Sequence, residues 1–169
     1  SPLGPGLQDV SLQSIAGQDY LQFDLPGPVT SEAAGLLASM AMLGGVFEVF
    51  DSIGDVAGPL LRPVQATHRA FISPDMAATP RYKGKTNEAF THFLCNIAKY
   101  ASDFRSSDWA ALDVVDPLCG GGTTLFTALS LGADVAGLDV DRTDIESTAT
   151  FIAQYCRENR IALATKEER

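Results

Sequence analysis

The chain has 169 residues, 46% of them hydrophobic, which allows one or two small domains with a core of their own. Its formal net charge of −9 disfavours strong nonspecific nucleic-acid binding by this piece alone, because phosphate contacts need clustered Lys and Arg, although a substrate surface elsewhere is not excluded. No apolar run is long enough to span a bilayer, and the amino terminus has neither the basic start nor the apolar core of a signal peptide, so a cytoplasmic location without membrane attachment is the default expectation.

Residues 1–6, rich in Pro and Gly, read as flexible or as a cloning remnant. Residues 20–25 alternate apolar and polar side chains, the pattern of a half-buried strand, before Pro26-Gly27-Pro28 turns the chain. Thr30 or Ser31 is placed to cap a helix to about Met42, with Ala33, Leu36, Leu37 and Met40 at helical spacing and Gly44-Gly45 ending it. Residues 46–50 read as a second strand and 60–64 as a third segment interrupted by Pro63. Together residues 1–66 form a small α/β module, whose residues fit a nucleic-acid-recognition role and a structural role equally well.

Residues 67–86 read as a connecting segment, extended over 71–78 where Pro74 breaks any helix. His68 and His92 lack companion ligands and read as structural. Cys95, Cys119 and Cys156 are odd in number and widely spaced, which indicates neither a zinc site nor a disulfide framework and predicts free thiols. Arg81, Lys83 and Lys85 are a local basic cluster, either a solvated loop or a contact for a carboxylate or phosphate. Asn87 is placed to cap a helix carrying Phe90, Leu94, Ile97 and Ala98 on one face, which reads as a core face rather than a base-stacking one.

Residues 112–141, LDVVDPLCGGGTTLFTALSLGADVAGLDVD, carry the strongest pattern. Residues 112–115 are short, apolar and β-branched, as suits a buried parallel strand. Pro117 ends the ladder, and Gly120, Gly121 and Gly122 permit a backbone on which a ligand can lie directly. Thr123 opens a helix with Leu125, Ala128, Leu129 and Leu131 toward a sheet and Gly132 after its end, and residues 135–138 return as a second strand. A right-handed β-α-β crossover brings the glycines and Asp139 together at the carboxyl ends of the strands, where such sheets bind ligands. Thr143 and Glu146 have capping-box spacing for a last helix, with Ile145, Ala149, Ile152, Ala153 and Cys156 on one face. Residues 165–169 read as a frayed tail.

The loop chemistry separates three ligands. A Walker phosphate loop needs Lys and then Ser or Thr after its second glycine, and here Thr123 and Thr124 follow Gly122. A nicotinamide dinucleotide fits Gly120-x-Gly122 and the downstream Asp139, but its third glycine would fall at Leu125. Asp116 ahead of the loop repels a pyrophosphate and suits an ammonium or sulfonium group, both of which S-adenosylmethionine carries. A plainer alternative is that the glycines make only a tight turn and Asp139 only caps the next helix, which explains each residue singly but not the ordered set.

The run Asp116-Pro117-Leu118-Cys119-Gly120-Gly121-Gly122-Thr123-Thr124 closely resembles the D-P-x-x-G-x-G-T loop of class I S-adenosylmethionine-dependent methyltransferases, in the form found in those acting on RNA or DNA bases. The resemblance covers residues 81–156. It implies an α/β fold with a Rossmann-like parallel-sheet core over residues 87–169, in which Asp116 and the loop hold the methionine part of the cofactor. It further implies that Asp139 hydrogen-bonds the ribose and Val140 lies against the adenine. Lys85, Thr86 and Asn87 resemble a G-K-x-[NH]-P segment near the cofactor's carboxylate, with Glu88 in place of the proline. The family's catalytic segment, Asn or Asp followed by Pro-Pro-Tyr or Phe, does not occur in this sequence. The chain therefore reads as the front part of such a methyltransferase with an incomplete core: an engineered piece, a proteolytic product or one of two complementary chains. An incomplete sheet leaves an edge that invites self-association or a partner chain. The rival readings are a noncatalytic cofactor-binding or regulatory subunit completed by a partner, and a nicotinamide-dependent oxidoreductase.

Overall fold

The computed structural model describes residues 7–80, 84–162 and 164. The chain is mixed α/β with small sheets, one of them a parallel pair, and divides into two compact units, Ser1–Arg69 and Ala70–Arg169. The expectations for residues 1–6, for Arg81 and Lys83, and for residues 165–169 lie outside the described residues.

The first unit is built from two antiparallel hairpins and a helix. Strands β1 (Gln8–Ile15) and β2 (Gln18–Asp24) pair with Ile15 opposite Gln18, so Ala16 and Gly17 make a two-residue turn, both at positive φ. That sign of φ matches the twist of the flanking strands. Sequence reading found β2 and missed β1, although Val10 and Leu12 alternate with polar residues ahead of an Ala-Gly turn. Helix α1 (Ser31–Ala38) starts as expected at Thr30, whose hydroxyl accepts from the Ala33 N–H at 3.1 Å. It stops short of Met42 because the Ser39 hydroxyl takes the Leu36 carbonyl at 2.7 Å while the backbone tightens, Met40 N–H bonding to Leu37 O. Strands β3 (Val46–Ile53) and β4 (Val56–Val64) form the second hairpin about Gly54, at φ +60. Pro63 does not interrupt β4. It sits in the strand opposite Phe47, and a two-stranded sheet gives each strand an outer edge where a missing N–H costs nothing.

The second unit holds the larger core. Residues 71–78 are not an extended linker: Pro74 stands just ahead of a one-turn helix α2 (Asp75–Ala78), a position where its fixed φ is helical and its missing N–H would be unpaired anyway. Ile72, Met76 and Ala77 are buried with Phe126, Leu129 and Tyr155. Helix α3 (Glu88–Tyr100) is capped by Asn87, whose Oδ1 accepts from the Phe90 N–H at 3.0 Å. Its buried face is Thr91, Cys95 and Lys99, spaced four apart, with Asn96; Phe90, Phe93, Leu94 and Ile97 are exposed, so the expected core face is turned outward. The helix lays Thr91, Cys95 and Asn96 inward and leaves its large apolar side chains exposed. Lys99 is buried at the far end, where Nζ donates to Arg105 O at 3.3 Å and lies over the rings of Tyr100 and Trp109. Burial lowers its pKa. It thereby ties α3 to the two 3₁₀ turns that lead into the sheet.

Strands β5 (Asp113–Asp116) and β6 (Asp134–Gly137) are parallel, with Val114 opposite Val135 and Asp116 opposite Gly137. Helix α4 (Thr123–Leu131) crosses between them, buried along its length and closed by Gly132 at φ +109. The pair is not buried on both faces: Val115 and Leu138 are about 60% exposed, because among the described residues α4 packs on one face only and β5 has no second neighbour. Helix α5 (Arg142–Asn159) is capped by Asp141, which accepts from the Thr143 N–H at 2.8 Å, and not by the Thr143–Glu146 box. Its inward face is Thr148, Phe151, Ile152, Tyr155 and Cys156, rotated from the expected one so that Ala149 and Ala153 are exposed. The aromatic pairs Phe126–Phe151 and Phe151–Tyr155 set that rotation, at 5.3 and 5.7 Å between ring centroids.

Candidate functional site at the glycine loop

The loop between β5 and α4 is pinned at both ends by backbone. Leu138 N–H donates to Asp116 O and Cys119 N–H to Leu138 O, each at 2.9 Å, so the parallel ladder continues past the strands as far as Cys119. Asp116 Oδ1 accepts from the Leu118 N–H at 3.1 Å, which orients the carboxylate at the mouth of the loop. Gly122 N–H then closes a turn onto Cys119 O at 2.8 Å.

Gly120 and Gly122 are both left-handed, at φ +47 and +83, where a side chain is strained. They differ in surroundings. A Cβ at Gly120 would meet nothing within 4 Å, whereas one at Gly122 would lie 3.1 Å from Phe126 and from Thr148. The Gly120 side of the loop thus faces open space and the Gly122 side faces the core. Gly122 is also the N-cap of α4 and offers no side chain to it. The N-terminus of a helix is electropositive and suits an acidic group.

Asp139 joins the two strand ends. Its Oδ2 accepts from the Gly120 N–H at 2.7 Å and its Oδ1 from the Asp141 N–H at 2.9 Å. These two backbone donors, Asp141 first, hold its carboxyl below the ordinary aspartate value. A carboxylate with one donor on each oxygen still has lone pairs to accept from hydroxyls. Asp139 does not itself cap α5; Asp141 does. Cys119, Cys95 and Cys156 are buried free thiols. Burial, followed by the carboxylates of Asp116, Asp139 and Asp144, pushes the Cys119 thiol up, so it stays protonated and unreactive.

The structure therefore gathers Asp116, Pro117, Cys119, Gly120, Gly121, Gly122, Thr123, Thr124, Asp139 and Val140 at the carboxyl ends of β5 and β6. Thr123 is buried, and Val140 is 98% exposed beside Asp139, an apolar side chain held in solvent. Lys85, Thr86 and Asn87 have a different setting. Lys85 donates to Ala78 O at 3.1 Å and pairs with Glu88, Thr86 is exposed, and Asn87 caps α3. The Lys85 bond reaches back to the end of α2, and the other contacts are local to the start of α3.

Two residues essential to the geometry carried no sequence signal of their own. Gly137 lies under the helix: a Cβ there would come within 2.6 Å of Leu125 and 2.8 Å of the Cys119 sulfur. Close packing of helix on strand, which a dinucleotide loop obtains from a glycine at the position of Leu125, is obtained here from a glycine on the strand. Thr148, 8% exposed, reaches back from α5 to the Gly120 carbonyl. An open groove of about 440 Å³ runs along Glu146, Ser147, Thr150, Phe151 and Gln154, away from the loop, and gathers no group of paired polar donors comparable to the loop. Among the described residues no cluster of His, Cys, Asp and Glu could hold a metal ion, and no helix is long and apolar enough to cross a membrane. Compared with known protein families, curated proteins and solved structures, the chain matches none.

Proposed function

We propose that this chain is the cofactor-binding front part of a Rossmann-like, S-adenosylmethionine-dependent methyltransferase whose acceptor is an RNA or DNA base. The observation that carries the reading is the 2.7 Å bond from the Gly120 N–H to Asp139, which brings the glycine loop and the second acid to one point beyond two parallel strands. The residues fit the cofactor. Gly120 faces open space, the Asp116 carboxylate stands at the loop mouth, and Val140 offers an exposed apolar side chain next to Asp139.

In this reading the loop and the N-terminus of α4 take the carboxylate of the amino-acid part, and Asp116 takes its ammonium. Asp139 accepts from the ribose hydroxyls and Val140 lies against the adenine. The cofactor supplies an electrophilic sulfonium methyl. The contribution of this chain is to hold that methyl in place, since alignment supplies much of the rate in such transfers. The acceptor-positioning Asn/Asp-Pro-Pro-Tyr/Phe segment is not in this sequence, so the chain alone is expected to bind cofactor without turnover. The face and edge of the β5–β6 pair that are open among the described residues favour a second reading, a noncatalytic cofactor-binding or regulatory subunit. A copurifying chain that carries the catalytic segment would support it.

Calorimetric titration with S-adenosylmethionine and with its demethylated product tests the proposal. Binding that Asp139→Ala weakens about tenfold or more, as for loss of a charge-assisted hydrogen bond, is the expected result. Preference for a nicotinamide dinucleotide would replace the reading with an oxidoreductase, and no binding by the folded chain would remove it.

A further inference from the structure

Threonines inside helices ordinarily turn their hydroxyl back to the carbonyl four residues earlier. Thr91, Thr127 and Thr150 do so, donating to Asn87 O, Thr123 O and Glu146 O at 2.7 to 3.0 Å. Thr148 does not. Its hydroxyl is directed out of α5 toward the Gly120 carbonyl, 28 residues away, at 3.5 Å. Its methyl group packs on Gly122, lying 3.1 Å from where a Cβ would stand. One buried side chain thus addresses both left-handed glycines of the loop.

The peptide groups of Gly120 are consequently held from two directions. Asp139, at the end of β6, takes the N–H, and Thr148, on the second turn of α5, takes the carbonyl. Asp139 is bonded in turn to the Asp141 N–H at the start of α5. A 3.5 Å bond is long and contributes little to folding stability. At that length it biases the direction of the Gly120 carbonyl rather than locking it, which matters because a left-handed glycine has no side chain of its own to limit rotation of its peptide planes.

The geometry points to Thr148 as a positioning residue of the glycine loop, through which α5 sets the Gly120 carbonyl and hence the pose of a cofactor lying on the loop. This inference rests on the methyltransferase reading for the identity of the ligand, and not for the role of Thr148 in ordering the loop.

The test uses the full chain and two variants that separate hydroxyl from methyl. Thr148→Val keeps the branched shape and loses the hydroxyl; Thr148→Ser keeps the hydroxyl and loses the methyl. Backbone amide exchange and amide chemical shifts at Gly120 and Gly122 are followed by nuclear magnetic resonance, alongside calorimetric titration with S-adenosylmethionine. The valine variant should exchange faster at both glycines with the amides of α5 unchanged, and should bind S-adenosylmethionine about two- to threefold more weakly, less than for loss of a full neutral hydrogen bond because the contact is long. The serine variant should behave as the parent in both. A valine variant with unaltered glycine amides, or a serine variant that is the damaged one, would overturn the inference by showing that Thr148 only fills space. If the parent chain binds no S-adenosylmethionine, the cofactor reading falls, and the exchange measurement alone decides the role of Thr148.

Discussion

The two units bury their apolar side chains to very different extents. In the hairpin unit, Val10, Leu12, Leu21, Ile53 and Val56 are more than half exposed, and its buried residues among those described are Ala33, Ala34 and Ser39. In the second unit, Phe126, Ile72 and Met76 are all but sealed, around a helix that is buried along its length. Both have mixed secondary structure and short turns. The difference is that a two-stranded hairpin has only its own faces to offer, whereas a β-α-β crossover folds a helix over the strands it connects. Stability of the second unit should therefore concentrate in a few side chains, and that of the first should be spread thinly.

The largest effect is expected at Phe126. Phe126→Ala should cost about 3–5 kcal/mol in urea denaturation of the second unit, the range for an aromatic side chain lost from a closed core. Phe47→Ala in the hairpin unit, where the ring is 39% exposed, should cost clearly less, and an equal loss would break the contrast. Gly137→Ala follows. Its Cβ would press on Leu125 and Cys119, forcing α4 off β6 at a cost of about 1–3 kcal/mol. Thermal unfolding would register this, and unchanged stability would mean that the crossover is loosely packed.

Tyr155→Phe sharpens the contrast through pH. The Tyr155 hydroxyl donates to Asp75 Oδ1 at 2.5 Å and joins α5 to α2. Burial, then this bond, pushes Tyr155 up from 10.0 to about 12, while the same bond, helped by Ser73, holds Asp75 below its ordinary value. The Asp75 contribution is present above the unfolded carboxylate value of 3.8 and is lost as pH falls through the lowered folded value. The Tyr155 contribution is present below 10.0 and is lost as pH rises toward about 12. The phenylalanine variant should be about 1 kcal/mol less stable near neutrality, since Asp75 is exposed, and should show a flatter stability profile at both ends. The smallest effect is expected for Arg62→Ala in the hairpin unit. Arg62 pairs with Glu48 across the strands and stacks over Phe50 at 5.1 Å, but its side chain is 65% exposed, so the loss should stay below about 1 kcal/mol in the same denaturation series.

Features governed by local chemistry were legible in the sequence. Thr30 and Asn87 cap where they were expected to, Gly132 ends α4, and the run from Asp116 to Asp139 folds so that its two acids flank the glycines. Features decided by neighbours were not. Which face of α3 is buried depends on what packs against it, and the small residues Thr91 and Cys95 took the place that Phe90 and Leu94 were expected to fill. The cap of α5 passed from Thr143 to Asp141 because Asp139 draws the Asp141 N–H into a turn of its own. Thr148 and Gly137 mark the same limit, since each matters for what it touches in another element and neither breaks a local pattern.

The outer edge of β5 bears on how the molecule meets its neighbours. A strand with unpaired backbone groups is a template for another strand, and proteins commonly guard such edges with charge. Here the guard is at both ends of a four-residue strand, Asp113 and Asp116. Two copies brought edge to edge in antiparallel register would set Asp113 of each against Asp116 of the other, and like charges directly opposite are destabilising. The same carboxylates would attract a strand that brings Lys or Arg to those positions.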